Sequence, residues 1–208
     1  DMFVLLDNVQ YTKRDWRNRN LINLNNQPSF LTIPVKTKKK FNQKINEVLI
    51  SDEDWSSKIK NKIYHAYSKA SHYNNIIKFI EEIISNNQND LLVNIINQSI
   101  IKVSAFLKIK TDILLSSELD LSTKLEKNQK LIEICKKLGA KLYISGPSAL
   151  NYLNQNLFDE RNIKIKIVGY KEQINYIQNK RFKFLKKMSI LDLLFHHGEN
   201  SYKYIQNI

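Results

Sequence analysis

Between residues 111 and 170 the chain alternates strand-like and helix-like segments, and this alternation limits the fold more than any other feature. "TDILLSSEL" (111–119) is a short apolar β-type run that ends in polar residues. "STKLEKNQKLIEICKKLGA" (122–140) repeats apolar residues at helical spacing and closes on Gly139. "KLYISG" (141–146) reads as a strand turning at Gly146, "PSALNYL" starts a short helix, and "IKIKIVGY" (163–170) is another strand. This order predicts α/β with parallel pairing, because parallel neighbours need a crossover between them.

The first half fits the same class. "MFVLLD" is a nearly continuous apolar run closed by Asp7, the pattern of a buried strand. A domain that opens inside a core strand is expected to lack its natural N-terminus. "RNLINLNNQPSFLTIPV" predicts a hairpin about the turn-like "NNQP". "KTKKK" (36–40) reads as a charged loop and "INEVLI" as a short strand. "SDEDW" opens a helix with Ser51 as N-cap and acids in its first turn, running to Ala70. "NNIIKFIEEIISN" and "DLLVNIINQSIIKVSAFLKI" are helical by spacing. "SILDLLFHHG" is a capped helix from Ser189 to Gly198. The expected architecture is a single α/β domain over 1–208 with a Rossmann-like, mostly parallel sheet. It carries flanking helices, a β-hairpin near the N-terminus and a helical insert at about 52–108.

The chain has 33 basic and 20 acidic residues, a net charge of +13, which favours anionic partners. Lysine and asparagine are abundant throughout, so the total charge says little by itself. Arginine is scarce, yet Arg14, Arg17 and Arg19 fall within six residues. No apolar run reaches the roughly 18 residues of a membrane span, and one cysteine, Cys135, excludes an intramolecular disulfide. A cytoplasmic location is expected.

In open parallel sheets ligands bind at the carboxyl ends of strands. Asp7, then Ser116 and Ser117, then Ser145 and Gly146 occupy such positions. The turn into "PSALNY" offers backbone N–H groups suited to phosphate. Arg14, Arg17 and Arg19 could fork onto phosphate oxygens, with Trp16 and Tyr11 against a flat group. The competing reading is an exposed hairpin whose arginines pair with Asp7 and Asp15. His196 and His197 are adjacent and point about 100° apart, so they do not form a zinc pair. They suit a helix C-terminus, and His65 and His72 lack an acidic partner between them. Cys135 lies on an apolar helix face as a core residue. Glu81 and Glu82 read as a solvated face. No metal site is expected.

"DNVQYTKRDWRNRN", Trp55 followed by "AYSKA", "LLSSEL", "LIEICKKLGAKLYISGPSALNYL" and "MSILDLLFHHG" resemble, in order, the WbqC-like family. Members of that family open with a further strand and a Pro/Tyr/Phe-rich turn that this sequence lacks. The resemblance implies a role in bacterial O-antigen or other surface-polysaccharide synthesis, with acyl or aminoacyl transfer to the amine of a nucleotide-linked amino sugar. It picks out Asp7, Gln10, Lys13, Arg14, Trp16, Asn18, Arg19 and Asn20 in the first block. It then matches Ser116, Ser117, Tyr143, Ser145, Gly146, Pro147 and Tyr152, and finally Ser189 and Asp192. Leu150 stands where the family pattern has a basic residue.

Asp7, Ser117 and Asp192 are the expected catalytic residues, the carboxylates as base and the hydroxyl as oxyanion donor. The others named would bind a nucleotide sugar. ATP with Mg²⁺ or an acyl thioester are the donors to be considered, and the sequence names neither. Two alternatives stand beside this reading. One is an adenylate-forming ligase or nucleotidyltransferase-like enzyme. The other is a basic nucleic-acid-binding module, although no RRM, KH, helix-turn-helix or zinc-finger pattern is present.

Overall fold

Asn25 and Asn26 carry the plainest local instruction in the chain. Both adopt positive φ, 51° and 60°. Asparagine tolerates this better than most residues, and two such positions in succession match the twist of a tight hairpin. They join β2 (Arg19–Leu24) to β3 (Gln27–Thr32) in antiparallel register, with Leu24 opposite Gln27 and Arg19 opposite Thr32. The computed structural model describes residues 1–85, 90–122, 124–169, 175–178 and 183–205. Three predicted segments extend past these: Asn86, Thr123 and Tyr170 lie outside the described residues.

The described residues form two compact units. The first comprises residues 1–2, 7–113 and the described part of 173–208. It contains the hairpin and three helices, α1 (Trp55–Tyr67), α2 (Tyr73–Ser85) and α3 (Leu92–Phe106). Helix α1 buries Trp55, Ile59, Ile63 and Tyr67, one residue per turn, and α2 buries Ile76, Ile80 and Ile83. These stripes meet Ile22, Leu194 and Phe195 in one core. Burying each aliphatic side chain of this size is worth about 1.5–3 kcal/mol.

In the second unit (3–6 and the described part of 114–172), strand β1 (Met2–Leu5) pairs with β4 (Asp112–Leu115). Strand β5 (Leu142–Ser145) pairs in parallel with β6 (Lys164–Ile167), Ser145 facing Ile167. Helix α4 (Lys127–Lys137) ends as predicted at Gly139, whose φ of +64° a side chain would resist. The sequence reading misses α5 (Gln155–Asp159), a helix of only five residues.

Mixed α/β is the observed class, and the expected parallel pairing is present between β5 and β6. Among the described residues the strands form three two-stranded sheets, not one wide sheet. β1, β4, β5 and β6 span four residues each, and β4 and β5 give way at once to 3-10 turns at Ser116–Leu119 and Pro147–Asn151.

Three further expectations change. "INEVLI" is not a strand: Ile45–Glu47 is a 3-10 turn, and Ile50 and Leu49 make single bridges to Val35 and Leu91. Ser51 does not cap α1, which starts after Asp54; Asp52 instead accepts from the Asp54 backbone and pairs with Lys58. Met2 and Phe3 are exposed, so the opening strand is only half buried. At the other end, α6 (Ile190–His197) has the predicted caps. The Ser189 hydroxyl accepts from Leu191 N–H at 3.3 Å, and Gly198 stops the helix at φ +52°. A last helix, α7 (Ser201–Ile205), follows.

Candidate functional site

In the first unit, residues 7–11 run antiparallel to 43–46. Asn46 N–H donates to Asp7 O at 2.9 Å, Ile45 N–H to Val9 O at 3.0 Å and Tyr11 N–H to Gln43 O at 2.9 Å. This pairing holds Asp7 inside the unit at 2% exposure. On the opposing stretch the side-chain oxygens of Asn46, across from Asp7, and Gln43, across from Tyr11, are buried and accept nothing among the described residues, as is that of Asn97 on α3, which packs on the Ile45–Glu47 turn. Asn18 has a fourth such oxygen, although its amide donates to Ile33 O at 2.9 Å. Buried polar atoms are nearly always paired, so a group of unsatisfied acceptors on one segment marks a place for donors.

The same segment then turns outward. Arg14 sits at φ 60° and its guanidinium makes no hydrogen bond or ion pair among the described residues. Arg17 bonds Asp15, whose other oxygen accepts from Trp16 N–H at 2.6 Å. Arg19 donates to Arg14 O and lies 4.2 Å from the Phe30 ring centroid. Trp16 is 60% exposed and tilts against Phe30 at 6.1 Å. Tyr11 is buried instead, and burial raises its phenol above the ordinary range, against the pull of Arg17 and Arg19. Gln10 reaches Phe41 O at 2.9 Å, Lys13 stands over the Phe41 ring at 5.3 Å, and the Asn20 side chain caps Leu21 N–H. Of the two arginine readings, Arg17 follows the ion-pair one and Arg14 remains available to a ligand.

Asp192 occupies a different setting in the same unit. It is 0% exposed in the first turn of α6. Tyr67 donates to one carboxylate oxygen at 3.0 Å and Tyr176 to the other at 2.7 Å. Burial, and then the Asp192 charge, push both phenols far above the tyrosine range, which keeps them protonated as donors. Tyr67 also accepts from Asn23 N–H at 3.1 Å and stacks on Phe195 at 4.5 Å. Gln178 is tied at both ends of its amide to Leu185. His196 and His197 stand in the last turn of α6, as expected, and burial lowers both below the usual imidazole value, with the Asp192 charge opposing. His197 Nε2 lies 3.1 Å from Ile177 O.

In the second unit Tyr143, Ser145 and Tyr152 come together. The Ser145 hydroxyl bonds that of Tyr143, and burial raises the Tyr143 phenol. Lys127 stands 3.2 Å from the Tyr152 ring centroid. Ser116 is fully buried and Ser117 exposed, both in the turn after β4. The turn after Gly146 is a five-residue 3-10 helix, so the predicted helix N-terminus for phosphate is a single short turn, with Ala149 N–H already bonded to Gly146 O. Leu150 is exposed, and Cys135 is buried in the core with its thiol raised by burial. Among the described residues no group of three His, Cys, Asp or Glu side chains is arranged for a metal.

Sequence reasoning missed Tyr67, Tyr176 and Gln178. One signal was present: Asp192 in "ILDLLF" is an acid flanked on both sides by core residues, and a buried acid needs donors.

Comparison with known proteins agrees with the motif pattern. An uncharacterised protein of Mycobacterium tuberculosis (strain ATCC 25618 / H37Rv), Rv1507c, is 34% identical over 207 residues, covering 99% of this chain and 88% of that protein. No solved structure matches the chain significantly. The model of the WbqC-like protein family matches residues 1–204, and the chain belongs to that family.

Proposed function

We propose that the protein is an enzyme of bacterial surface-polysaccharide synthesis that transfers an acyl or aminoacyl group to the amine of a nucleotide-linked amino sugar. The observation that carries this reading is the pairing of two features on segment 7–19. Its buried end carries Asp7, paired through the backbone with Asn46, whose unsatisfied side-chain oxygen suits an amine as donor. Its exposed end offers the uncommitted Arg14 guanidinium, which suits a phosphate. An amino-sugar nucleotide carries both groups.

In this reading the amine nitrogen attacks the donor carbonyl carbon, a C–N bond forms, and the thiolate or adenylate leaves. Asp7 takes the amine proton. Arg14 holds phosphate, with Lys13 and Arg19 adding positive field. Asp192 acts through the tyrosines it holds and touches no substrate. The β5–β6 parallel pair is the element from which a Rossmann-like sheet is built, and a cytoplasmic reaction fits the nucleotide-linked substrate.

Thermal shift tests the reading, since only ligands of the native state raise the midpoint. A nucleotide sugar with a free amine is expected to stabilise the protein more than its N-acetylated form, and Arg14→Ala to abolish the difference from buffer. Equal response to both sugars removes the amine from the proposal. Stabilisation by ATP with Mg²⁺ alone moves the assignment to an adenylate-forming ligase.

A further inference from the structure

We propose that the surface formed by Lys13, Trp16, Phe30 and the 36–44 loop docks on an anionic lipid bilayer, so that the protein works at a membrane face. The first observation is where the charge sits. Residues 8–44 hold nine basic residues and one acidic residue, a net +8 of the chain's +13. The remaining 171 residues therefore carry only +5. A uniform lysine bias does not concentrate charge in this way.

The second observation is what the charge surrounds. Trp16, Phe30 and Phe41 are exposed by 60%, 41% and 73%. They belong to two contact groups joined by a short stretch of chain: Lys13 over Phe41, and Trp16 and Arg19 against Phe30. Lys13 and Trp16 are three residues apart, at most about 11 Å of chain. The loop that presents Phe41 has a fixed stem. Lys36 N–H donates to Leu49 O at 2.8 Å, Gln43 donates to Lys36 O at 3.2 Å and Gln10 to Phe41 O at 2.9 Å. Lys38, Lys39 and Lys40 are exposed on it.

Exposed aromatic rings flanked by long cationic side chains match the lipid headgroup layer, where rings insert and ammonium and guanidinium groups reach phosphate. Single-stranded nucleic acid is the less suited occupant, because stacking needs bare ring faces and both Phe30 and Phe41 already have a cation over one face. A second copy of the chain would bring like charge onto like charge. No helix among the described residues is long and apolar enough to cross a membrane, so the attachment is peripheral.

The chain supplies its own reporter. It has two tryptophans, Trp16 in the patch and Trp55 buried in the core. The whole chain is mixed with phosphatidylglycerol–phosphatidylethanolamine vesicles, with phosphatidylcholine vesicles and with a single-stranded RNA. Expected are co-sedimentation with the anionic vesicles only, reversal by salt, and a blue shift of tryptophan emission that Trp16→Phe removes. Phe41→Ser, and separately K38E/K39E/K40E, should lower partitioning by at least about tenfold at an unchanged melting temperature. The proposal is overturned if anionic vesicles do not retain the protein at low salt. It is equally overturned if these variants bind vesicles as the parent does, or if the RNA shifts Trp16 emission while vesicles do not.

Discussion

Asp7 and Asp192 are both buried aspartates of the first unit, and their surroundings differ in kind. Asp192 has a phenol donor on each oxygen, one from α1 and one from residue 176, and 0% of its surface meets solvent. The Asp7 backbone oxygen is held by Asn46 N–H, and on the stretch opposite it the side-chain oxygens of Gln43 and Asn46 accept no hydrogen bond among the described residues. A carboxylate whose partners are all supplied by the protein fixes structure. A buried amide oxygen short of a donor is where an outside N–H can be bound at little reorganisation.

The largest effect expected from breaking this contrast is at Asp192. Asp192→Ala leaves two buried phenols unpaired, and chemical denaturation should show a loss of about 3–5 kcal/mol. Asp192→Asn keeps one acceptor and should cost about 1–2 kcal/mol. A variant that keeps full stability but loses all sugar binding would instead make Asp192 a substrate residue. Gly198→Ala comes next. Its Cβ would lie 2.5 Å from His72 Nδ1 on a backbone at φ +52°, so a loss of about 2–3 kcal/mol is expected. Relief of that loss in the double variant with His72→Ala would assign it to the ring.

Acid should act on the same end of α6. The folded chain lowers the His196 and His197 values by burial, while the unfolded chain protonates near the ordinary value of about 6.5. Protons therefore bind the unfolded state first. The stability these groups contribute is complete above that value and is lost as pH falls through it. The urea midpoint should drop between pH 7.5 and pH 5.5, and by less in His196→Phe. A midpoint that rises on acidification would mean the histidines are charged in the fold.

What was legible in the sequence follows from how local each cause is. Ser189 and Gly198 bracket α6, and Gly139 ends α4, because caps act within a turn. Asn25 and Asn26 announce the hairpin for the same reason. "INEVLI" misled because alternation alone does not separate a strand from a 3-10 turn joined to single bridges. Ser51 misled because three consecutive acids follow it, and Asp52 turns the chain before α1 begins. At the site, the arginine cluster was visible as composition. That Arg17 is spent on Asp15 and Arg14 is not depends on side-chain direction, which spacing does not encode. Tyr67 and Asp192 meet across 125 residues, and only the packing of α1 against α6 brings them together.

The smallest effect on stability is expected where the proposed chemistry is most exposed to test. The Asn46 side-chain oxygen is buried and accepts nothing, and its amide makes no bond among the described residues. Replacing an unsatisfied polar group by an apolar one of similar size removes a desolvation cost without removing a bond. Asn46→Leu should therefore unfold within about 1 kcal/mol of the parent, or be slightly more stable. If the unsatisfied oxygens receive the amine, the same variant should lose the preference for the free-amine sugar over its N-acetylated form while keeping the phosphate-dependent part of the shift. A variant that unfolds early shows that Asn46 is structural. One that is stable and still discriminates between the two sugars shows that the Asn46 oxygen across from Asp7 does not bind the amine, and the base assignment falls with it.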